Sequence, residues 1–226
     1  MKKVFRKLAM LSVAMLLGFA SCEKGSDQEQ NMDNSGGGST TNVINGHEYV
    51  DLGLPSGLKW ATCNVGATTP EGYGNYYAWG ETTTKSSYTR DNSLTYGKDM
   101  GDISGNVNYD AATANWGGSW RMPTIEEMVE LWNCTWIWTT QNGVSGVRIT
   151  GQNGNSIFLP AAGYCYESLS CRIGEGCYWS STPHGEDSTT AACGLHILED
   201  EPVPDVNVGV DGYFKYVGLP VRPVSD

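Results

Sequence analysis

Alternating apolar and polar positions predict that the folded part of this chain opens with a β-hairpin. The segments 48–52 (EYVDL) and 58–65 (LKWATCNV) both alternate with a period of two residues, which is typical of half-buried strands. Pro55, Ser56 and Gly57 stand between them, and these residue types favour a tight turn. The two segments are therefore expected to pair as antiparallel strands.

A β-meander is predicted further along the chain. Three β-rich segments, 135–140, 147–150 and 156–159, are separated by Asn142-Gly143 and Asn153-Gly154, and Asn-Gly is the strongest short signal for a hairpin turn. More short strands are expected at 178–182, 194–198, 206–210 and 213–217.

One segment has the helical period. Thr124 and Glu127 form a capping-box pattern at its start. Apolar residues recur on one face of the segment at Ile125, Met128, Val129 and Trp132. The polar stretch 83–116 is expected to be a long loop. The predicted fold class is therefore α+β and β-rich, with one clear helix at about 124–133, several short antiparallel strands and long loops.

The N-terminus has the layout of an export signal. Four basic residues lie within 1–7, an apolar run follows at 8–17, and small residues lead to Cys22. Cys22 after Ala-Ser resembles a bacterial lipobox, in which the cysteine is lipidated and becomes the new N-terminus. We therefore predict a lipoprotein signal peptide at 1–21. The alternative is ordinary cleavage after Ala20, which would release a soluble protein.

The segment 22–42 is predicted to be a flexible acidic and Gly/Ser-rich tether. Met32 is its only large apolar residue apart from Cys22, so burial could not offset the entropy lost on ordering it. Acidic residues directly after Cys22 resemble the surface-export signal of lipoproteins in the Bacteroides group. We expect an extracytoplasmic protein, anchored in the outer membrane by its N-terminal lipid and exposed at the cell surface, with its folded domain at 43–226.

Composition excludes two classes of protein. Charged residues make up 17% of the chain, against about 25% in an average domain, which argues against coiled coils. The formal net charge is −11. Loss of the four basic residues of the signal makes it −15, with 10 basic and 25 acidic residues. Because nucleic-acid binding depends on Lys and Arg, no nucleic-acid partner is expected.

Cysteines leave several possibilities open. Six follow Cys22, namely Cys63, Cys134, Cys165, Cys171, Cys177 and Cys193. An even number in an exported protein permits disulfides, whose pairing the sequence does not define, and free thiols are equally compatible. A structural zinc site is not expected, because no CxxC occurs and the three histidines are scattered along the sequence.

Several ordered motifs carry a resemblance to a known family. The chain resembles the Fibrobacter succinogenes major paralogous domain, which is common in exported lipoproteins of Bacteroides and its relatives. That family in turn resembles the C-type-lectin-like fold shared with formylglycine-generating enzymes. The resemblance implies that the two ends of the domain meet in one sheet and that long loops face a ligand. The motifs are EYVDLGLPSGLKWATCNVGA (48–67), YYAWGET (76–82), WGGSWRMPTIEEMVEL (116–131), NCTWIWTT (133–140), GNSIFLPAAGY (154–164), YWSSTP (178–183) and VRPV (221–224).

The resemblance assigns structural roles to five residues. Arg121 and Arg222 would be structural charges that are paired inside the domain, and Trp60, Trp120 and Trp179 would be core residues. Formylglycine-generating enzymes use a metal-binding cysteine pair in the region of Cys177 and Cys193, but the residues around these two do not match that family's motifs.

No catalytic residue is predicted. The sequence has no G-x-S-x-G, no H-E-x-x-H and no phosphate-binding loop. Glycine turns accompany many tryptophans and tyrosines, which is typical both of a packed core and of aromatic surfaces that bind proteins or sugars. We expect a binding domain for a protein or glycan ligand. The alternative is an extracytoplasmic enzyme with the formylglycine-generating-enzyme fold, or a glycan-processing accessory protein.

Calcium is the only cofactor for which the sequence offers candidates. Glu201-Pro202-Val203 resembles the Glu-Pro-Asn motif of calcium-dependent lectins, with Val203 in the place of the ligating Asn. Acidic side chains around it could supply oxygen ligands. They are Glu199, Asp200, Glu201 and Asp205. A solvated acidic loop without a metal explains the same residues.

The C-terminal half combines family-like motifs, YWSSTP and VRPV, with unusual residues between them. This pattern resembles the targets of diversity-generating retroelements, which vary codons in C-type-lectin-like proteins. It implies a variable binding face, and ordinary drift of an exposed surface is the alternative. The candidate residues of that face are Cys171, Arg172, Cys193, His196, Val208, Asp211, Tyr213, Tyr216 and Val217.

Overall fold

The computed structural model describes residues 42–199, 205–206 and 212–226, except for the side chains of 168–172 and 205–206. The chain divides into two units, Met1–Ser39 and Thr40–Asp226, and every described residue belongs to the second. The predicted signal peptide, Cys22 and nearly all of the tether therefore lie outside the described residues. Among the described helices, none has the length and apolar character needed to cross a membrane.

The two ends of the domain share one sheet. Its strands are β1 (Val43–Ile44), β2 (His47–Asp51), β3 (Lys59–Ala61) and β13 (Val224–Ser225), in the order β1-β2-β3-β13. The predicted hairpin is present, because β2 pairs with β3 in antiparallel register. The last strand closes the sheet through the pairing of Val224 with Trp60. The two ends of the domain thus meet in one sheet, which is what the resemblance implies.

The predicted meander is also present. It consists of β5 (Thr135–Gln141), β6 (Val144–Thr150) and β7 (Ser156–Pro160), each antiparallel to the next. Asn142 and Gly143 have φ values of 48° and 81°. Positive φ at both residues is what a two-residue hairpin turn requires, and this explains the Asn-Gly sequence.

The remaining described strands form two further sheets. One contains β9 (Gly176–Pro183), β10 (Ala191–Ile197), β11 (Asp205–Val206) and β12 (Tyr213–Phe214), with β10 paired to the other three. The other pairs β4 (Ser87–Tyr88) with β8 (Tyr164–Arg172). The strand expected at 213–217 is shorter than predicted, since residues 215–217 turn away from it, and 207–210 lie outside the described residues.

The predicted helix begins as expected and ends early. Helix α2 covers Ile125–Glu130, and Thr124 and Glu127 make both hydrogen bonds of the capping box. A 3₁₀ turn, Leu131–Asn133, then changes the rotation per residue. As a result Leu131 is buried, whereas Trp132 is 48% exposed and does not join the apolar face.

A second helix occupies part of the segment that was expected to be a loop. Helix α1 covers Ala111–Trp116. The buried Asp110 accepts hydrogen bonds from the backbone N–H groups of Ala112 and Thr113, and also from those of Gly105 and Met122. The prediction of a loop throughout 83–116 was therefore wrong. The helix is short, and its capping residue Asp110 also binds the backbone of Met122, which is twelve residues away.

The two largest clusters of the described core lie on opposite faces of β9. Tyr178 packs into a cluster with α2, the meander and Leu195. The neighbouring Trp179 points the other way, into a cluster rich in aromatic residues that also contains Trp79 and Trp120. Because successive side chains of a strand alternate between faces, one buried strand contributes to both clusters. The architecture is α+β and dominated by antiparallel β-structure, as predicted.

Candidate functional site

Four aromatic rings form a continuous patch on the surface of the domain, which we call the aromatic surface. It consists of Tyr96, Tyr166, Phe214 and Tyr216. Tyr216 is central, with ring centroids 5.4 Å from Tyr96, 6.0 Å from Tyr166 and 5.3 Å from Phe214. Phe214 is 48% exposed and Tyr166 is 44% exposed. Exposed rings in mutual contact offer a large apolar area to a ligand at little cost in conformational entropy.

A polar cleft borders this surface. The cleft has a volume of about 200 Å³, and the rings of Tyr166 and Tyr216 lie beside Arg90, Asp91 and Glu167 in its lining. The guanidinium carbon of Arg90 lies 5.0 Å from the centroid of the Tyr96 ring, which is within cation–π range. Aromatic rings next to charged and hydrogen-bonding groups are the usual composition of a small ligand site.

Backbone features position the two tyrosines that line the cleft. Glu167, directly after Tyr166, has a φ of 58°, an uncommon conformation for a residue other than glycine. Gly218 follows Tyr216 closely, and a Cβ at this glycine would lie 2.8 Å from the ring of Tyr88. The backbone of Gly218 bonds to Cys165. The hydrogen bonds between Gly218 and Cys165 join the turn that carries Tyr216 to β8, the strand that carries Tyr166.

A second group of polar side chains lies where the start of β9 pairs with the end of β10. Ligand atoms of Glu175, Cys177 and His196 all lie within 4.8 Å of one another. His196 is the cross-strand partner of Cys177, and Glu175 stands two positions before Cys177. The Nε2 atom of His196 lies 2.8 Å from a carboxylate oxygen of Glu175. Glutamate oxygen, cysteine sulfur and histidine nitrogen are all metal-ligating atoms.

Tyr213 completes this group. Its hydroxyl donates a hydrogen bond to the sulfur of Cys177 at 3.4 Å. Gly194 makes room for the tyrosine, because a Cβ at this position would approach its ring to 3.2 Å. Burial raises the pKa of the Cys177 thiol to about 12, and the hydrogen bond from Tyr213 opposes this shift. The pKa of Tyr213 is also raised, chiefly by burial.

The residues proposed for a variable face do not share one environment. Tyr216 belongs to the aromatic surface, and His196 and Tyr213 belong to the second group. Cys193 and Val217 are 3% and 6% exposed. These two side chains pack in the core, so the prediction that they present themselves to a ligand was wrong. Cys171 and Arg172 lie on β8 with undescribed side chains, and Val208 and Asp211 lie outside the described residues.

The five residues given structural roles lie inside or at the edge of the core. Trp60, Trp120 and Trp179 are almost fully buried. Arg121 forms ion pairs at 2.7 Å with Glu127 and with Asp226. Arg222 is buried and is held by hydrogen bonds to uncharged oxygens, namely Oδ1 of Asn64 and the carbonyls of Ala61, Thr62 and Phe158.

The calcium candidates fall mainly outside the structure. Glu199 is described and exposed, Asp200 and Glu201 lie outside the described residues, and only the backbone of Asp205 is described.

The described cysteines include both a disulfide-bonded residue and free thiols. Cys165 is disulfide-bonded, whereas Cys63, Cys134, Cys177 and Cys193 are free. Cys177 and Cys193 pack into different core clusters. Their thiols therefore do not form the kind of cysteine pair found in formylglycine-generating enzymes.

Comparison of the chain with models of protein families, with curated proteins and with solved structures finds no match.

Sequence reasoning missed most of the residues that form these two sites. Tyr96, Tyr166, Phe214 and Arg90 are distant in sequence, and no local pattern marks them as neighbours. Glu175 and Cys177 follow a glycine turn, and their two-residue spacing is a weak signal that both face the same side. Their proximity to His196 depends on the register between β9 and β10.

Proposed function

We propose that this protein is an exported, lipid-anchored binding protein whose C-type-lectin-like domain recognises a protein or glycan ligand at the bacterial surface. The observation that carries the proposal is the aromatic surface around Tyr216 with its polar cleft. Three of its four rings contact the central one, and two of the four are more than two-fifths exposed. A soluble domain gains little stability from rings left in water, so their exposure is better explained by a ligand that covers them.

The charges around the cleft support the same proposal. Arg90 lies against Tyr96, and carboxylates of Asp91 and Glu167 lie near the rings. Sugars are bound by stacking on a ring while neighbouring charged groups accept or donate hydrogen bonds to hydroxyls. Protein interfaces are likewise enriched in Tyr and Arg. Both ligand classes match this chemistry.

The proposed anchor and fold rest on the sequence motifs. The basic and apolar segments before Cys22 support lipidation, and 22–42 supports a tether that holds the domain away from the membrane. The shared sheet of β1, β2, β3 and β13 supports the C-type-lectin-like fold. Tyr216 is also one of the candidate variable positions. Under the same proposal, a different residue at this position would change which ligand the surface binds.

A binding screen tests the proposal. The full lipidated chain, purified in detergent and labelled, is applied to an array of host and bacterial glycans and to an array of secreted and surface proteins. We expect specific binding that is lost in the double variant Phe214→Ala and Tyr216→Ala. Trp132→Ala is the matched control, because Trp132 is 48% exposed, as Phe214 is, but does not belong to the aromatic surface. Absence of binding on both arrays, or equal loss in the control, would contradict the proposal.

A further inference from the structure

The cluster of Glu175, Cys177 and His196 has the geometry of a metal site. In a tetrahedral zinc site with bonds of about 2.0–2.3 Å, neighbouring ligand atoms lie roughly 3.3–3.8 Å apart. The three ligand atoms here lie within 4.8 Å of one another, and the shortest described separation is 2.8 Å. The described separations therefore lie close to the spacing that three ligands of one ion require.

The backbone holds these ligands in place. Cys177 and His196 are paired across β9 and β10, so their side chains leave the sheet on the same face. The carbonyl of Glu175 accepts a hydrogen bond from the N–H of Gly163 at 2.7 Å. Two of the three ligands are thus on paired strands and the third is anchored next to them, which is the rigid support that a metal site needs.

The ligand types select among metals. One sulfur, one imidazole nitrogen and one carboxylate oxygen form a set that suits Zn²⁺ and neighbouring transition metals. Ca²⁺ takes six to eight oxygen ligands, and this set offers one carboxylate. The site is therefore different in kind from the calcium site that the acidic residues near 200 suggested.

Access and surroundings also fit an ion. The sulfur-bearing residue Cys177 is fully buried, whereas the side chains of Glu175 and His196 are 23% and 24% exposed. The cluster is therefore reachable from solvent on the side of Glu175 and His196. The Tyr213 hydroxyl already donates to the sulfur, as residues around metal sites often do to a ligand.

We propose that Glu175, Cys177 and His196 bind one Zn²⁺ ion, with a water molecule in the fourth position and Tyr213 hydrogen-bonded to the sulfur. On binding, the thiol of Cys177 gives its proton to solvent, and the Nε2 atom of His196 exchanges its contact with Glu175 for a bond to the metal. The site does not depend on the ligand of the aromatic surface.

The competing account is a hydrogen-bonded cluster without a metal. The contact between His196 and Glu175 and the bond from Tyr213 to Cys177 satisfy these groups by themselves. Only a metal site would bind zinc through Glu175, Cys177 and His196, so metal-binding measurements on variants of these residues separate the two possibilities.

The experiment titrates the purified full chain with Zn²⁺ by calorimetry and with Co²⁺ by absorption spectroscopy. Zinc is expected to bind with a stoichiometry of one per chain at this site. Cobalt is expected to give a sulfur-to-metal charge-transfer band and the visible bands of a tetrahedral ion. Cys177→Ser and His196→Ala should weaken Zn²⁺ binding more than about 100-fold, and Tyr213→Phe by about tenfold, as for other residues next to ligands. Cys134→Ser is the control, since Cys134 is also a free cysteine but does not belong to the cluster.

Near-ultraviolet circular dichroism checks that each variant is folded. If Cys177→Ser does not fold, His196→Ala and Glu175→Gln carry the test, because both side chains reach the surface. The proposal is overturned if the chain takes up no zinc at micromolar concentration. It is also overturned if folded His196→Ala binds zinc as wild type does, or if Cys134→Ser removes the cobalt–sulfur band.

Discussion

The ring of Phe214 is stacked on the ring of Tyr216, with centroids 5.3 Å apart and an angle of 10° between the planes. Phe214 ends β12, and its neighbour Tyr213 points inward toward Trp179 with a centroid distance of 5.8 Å. Consecutive side chains of this short strand therefore lie on opposite faces: Tyr213 packs against the core, and Phe214 belongs to the aromatic surface.

Phe214 and the buried Trp179 should differ widely in how much each stabilises the fold. Phe214→Ala should change the free energy of unfolding by less than about 1 kcal/mol, because half of the ring is already in water. Trp179→Ala should lower it by about 3–5 kcal/mol, since that side chain is fully buried. Urea unfolding of both variants checks this. A large loss of stability in Phe214→Ala would mean that the ring is retained for packing.

Arg222 should be intolerant of lysine. Its guanidinium donates to Asn64 and to carbonyls of Ala61, Thr62 and Phe158, and thereby joins β3 to the meander. A lysine has one nitrogen and leaves several buried acceptors without donors. We expect Arg222→Lys to lower the free energy of unfolding by about 3 kcal/mol.

Arg148→Lys, on the exposed face of β6, is the control for this substitution and should stay within about 0.5 kcal/mol of wild type. Equal stability of the two variants would show that the hydrogen bonds of Arg222 are not a major contribution to the fold.

The local part of this fold follows from the sequence. The cap of α2 depends on Thr124 and Glu127, three residues apart, and the turn of the first meander hairpin depends on Asn142-Gly143. Patterns that act over so few residues can be recognised without knowledge of tertiary structure. Helix α1 was missed because Asp110 caps it while also binding Met122, a contact that exists only in the folded chain.

The two candidate sites could not be predicted in the same way. Tyr96 and Tyr216 meet only because distant strands bring their loops together, and Cys177 and His196 meet only because of the register of β9 and β10. Val217 shows the converse error: an apolar residue in an unusual segment suggested a surface position, but it is buried.

Lys215 should give the protein a distinct dependence on pH. The residue is buried, its ammonium donates to the carbonyl of Lys98 at 2.8 Å, and it lies 4.4 Å from the centroid of the Trp79 ring. Burial lowers its pKa from 10.5 to about 8, against the opposing charges of Asp99 and Asp187. Between these two pH values the unfolded chain binds more protons than the folded one, so this residue's contribution to stability rises with pH.

Lys215→Met removes that contribution. We expect the free energy of unfolding of wild type, minus that of Lys215→Met, to increase by up to about 3 kcal/mol between pH 8 and pH 10.5. All groups other than Lys215 are the same in both proteins, so their contributions cancel in the difference. Urea unfolding at a series of pH values measures it, and a difference that is constant with pH would contradict the assignment.

The anchor is tested by Cys22→Ala in the full chain. Wild type should fractionate with the outer membrane, because buried acyl chains contribute about 0.8 kcal/mol per methylene to membrane binding. The variant should move to the soluble fraction or the medium. Mass spectrometry of the mature N-terminus distinguishes a lipidated Cys22 from cleavage after Ala20. Retention of Cys22→Ala in the membrane would show that something other than this lipid holds the protein there.

The most direct test of the account is the affinity of Tyr216→Ala for the array glycan or protein that wild type binds most strongly. Tyr216 is the ring that all the others contact, so its removal should weaken binding by roughly 30-fold or more, as for a hot-spot residue. The Trp132→Ala control should retain the wild-type dissociation constant. Unchanged affinity in folded Tyr216→Ala would contradict the claim that the aromatic surface is the binding site.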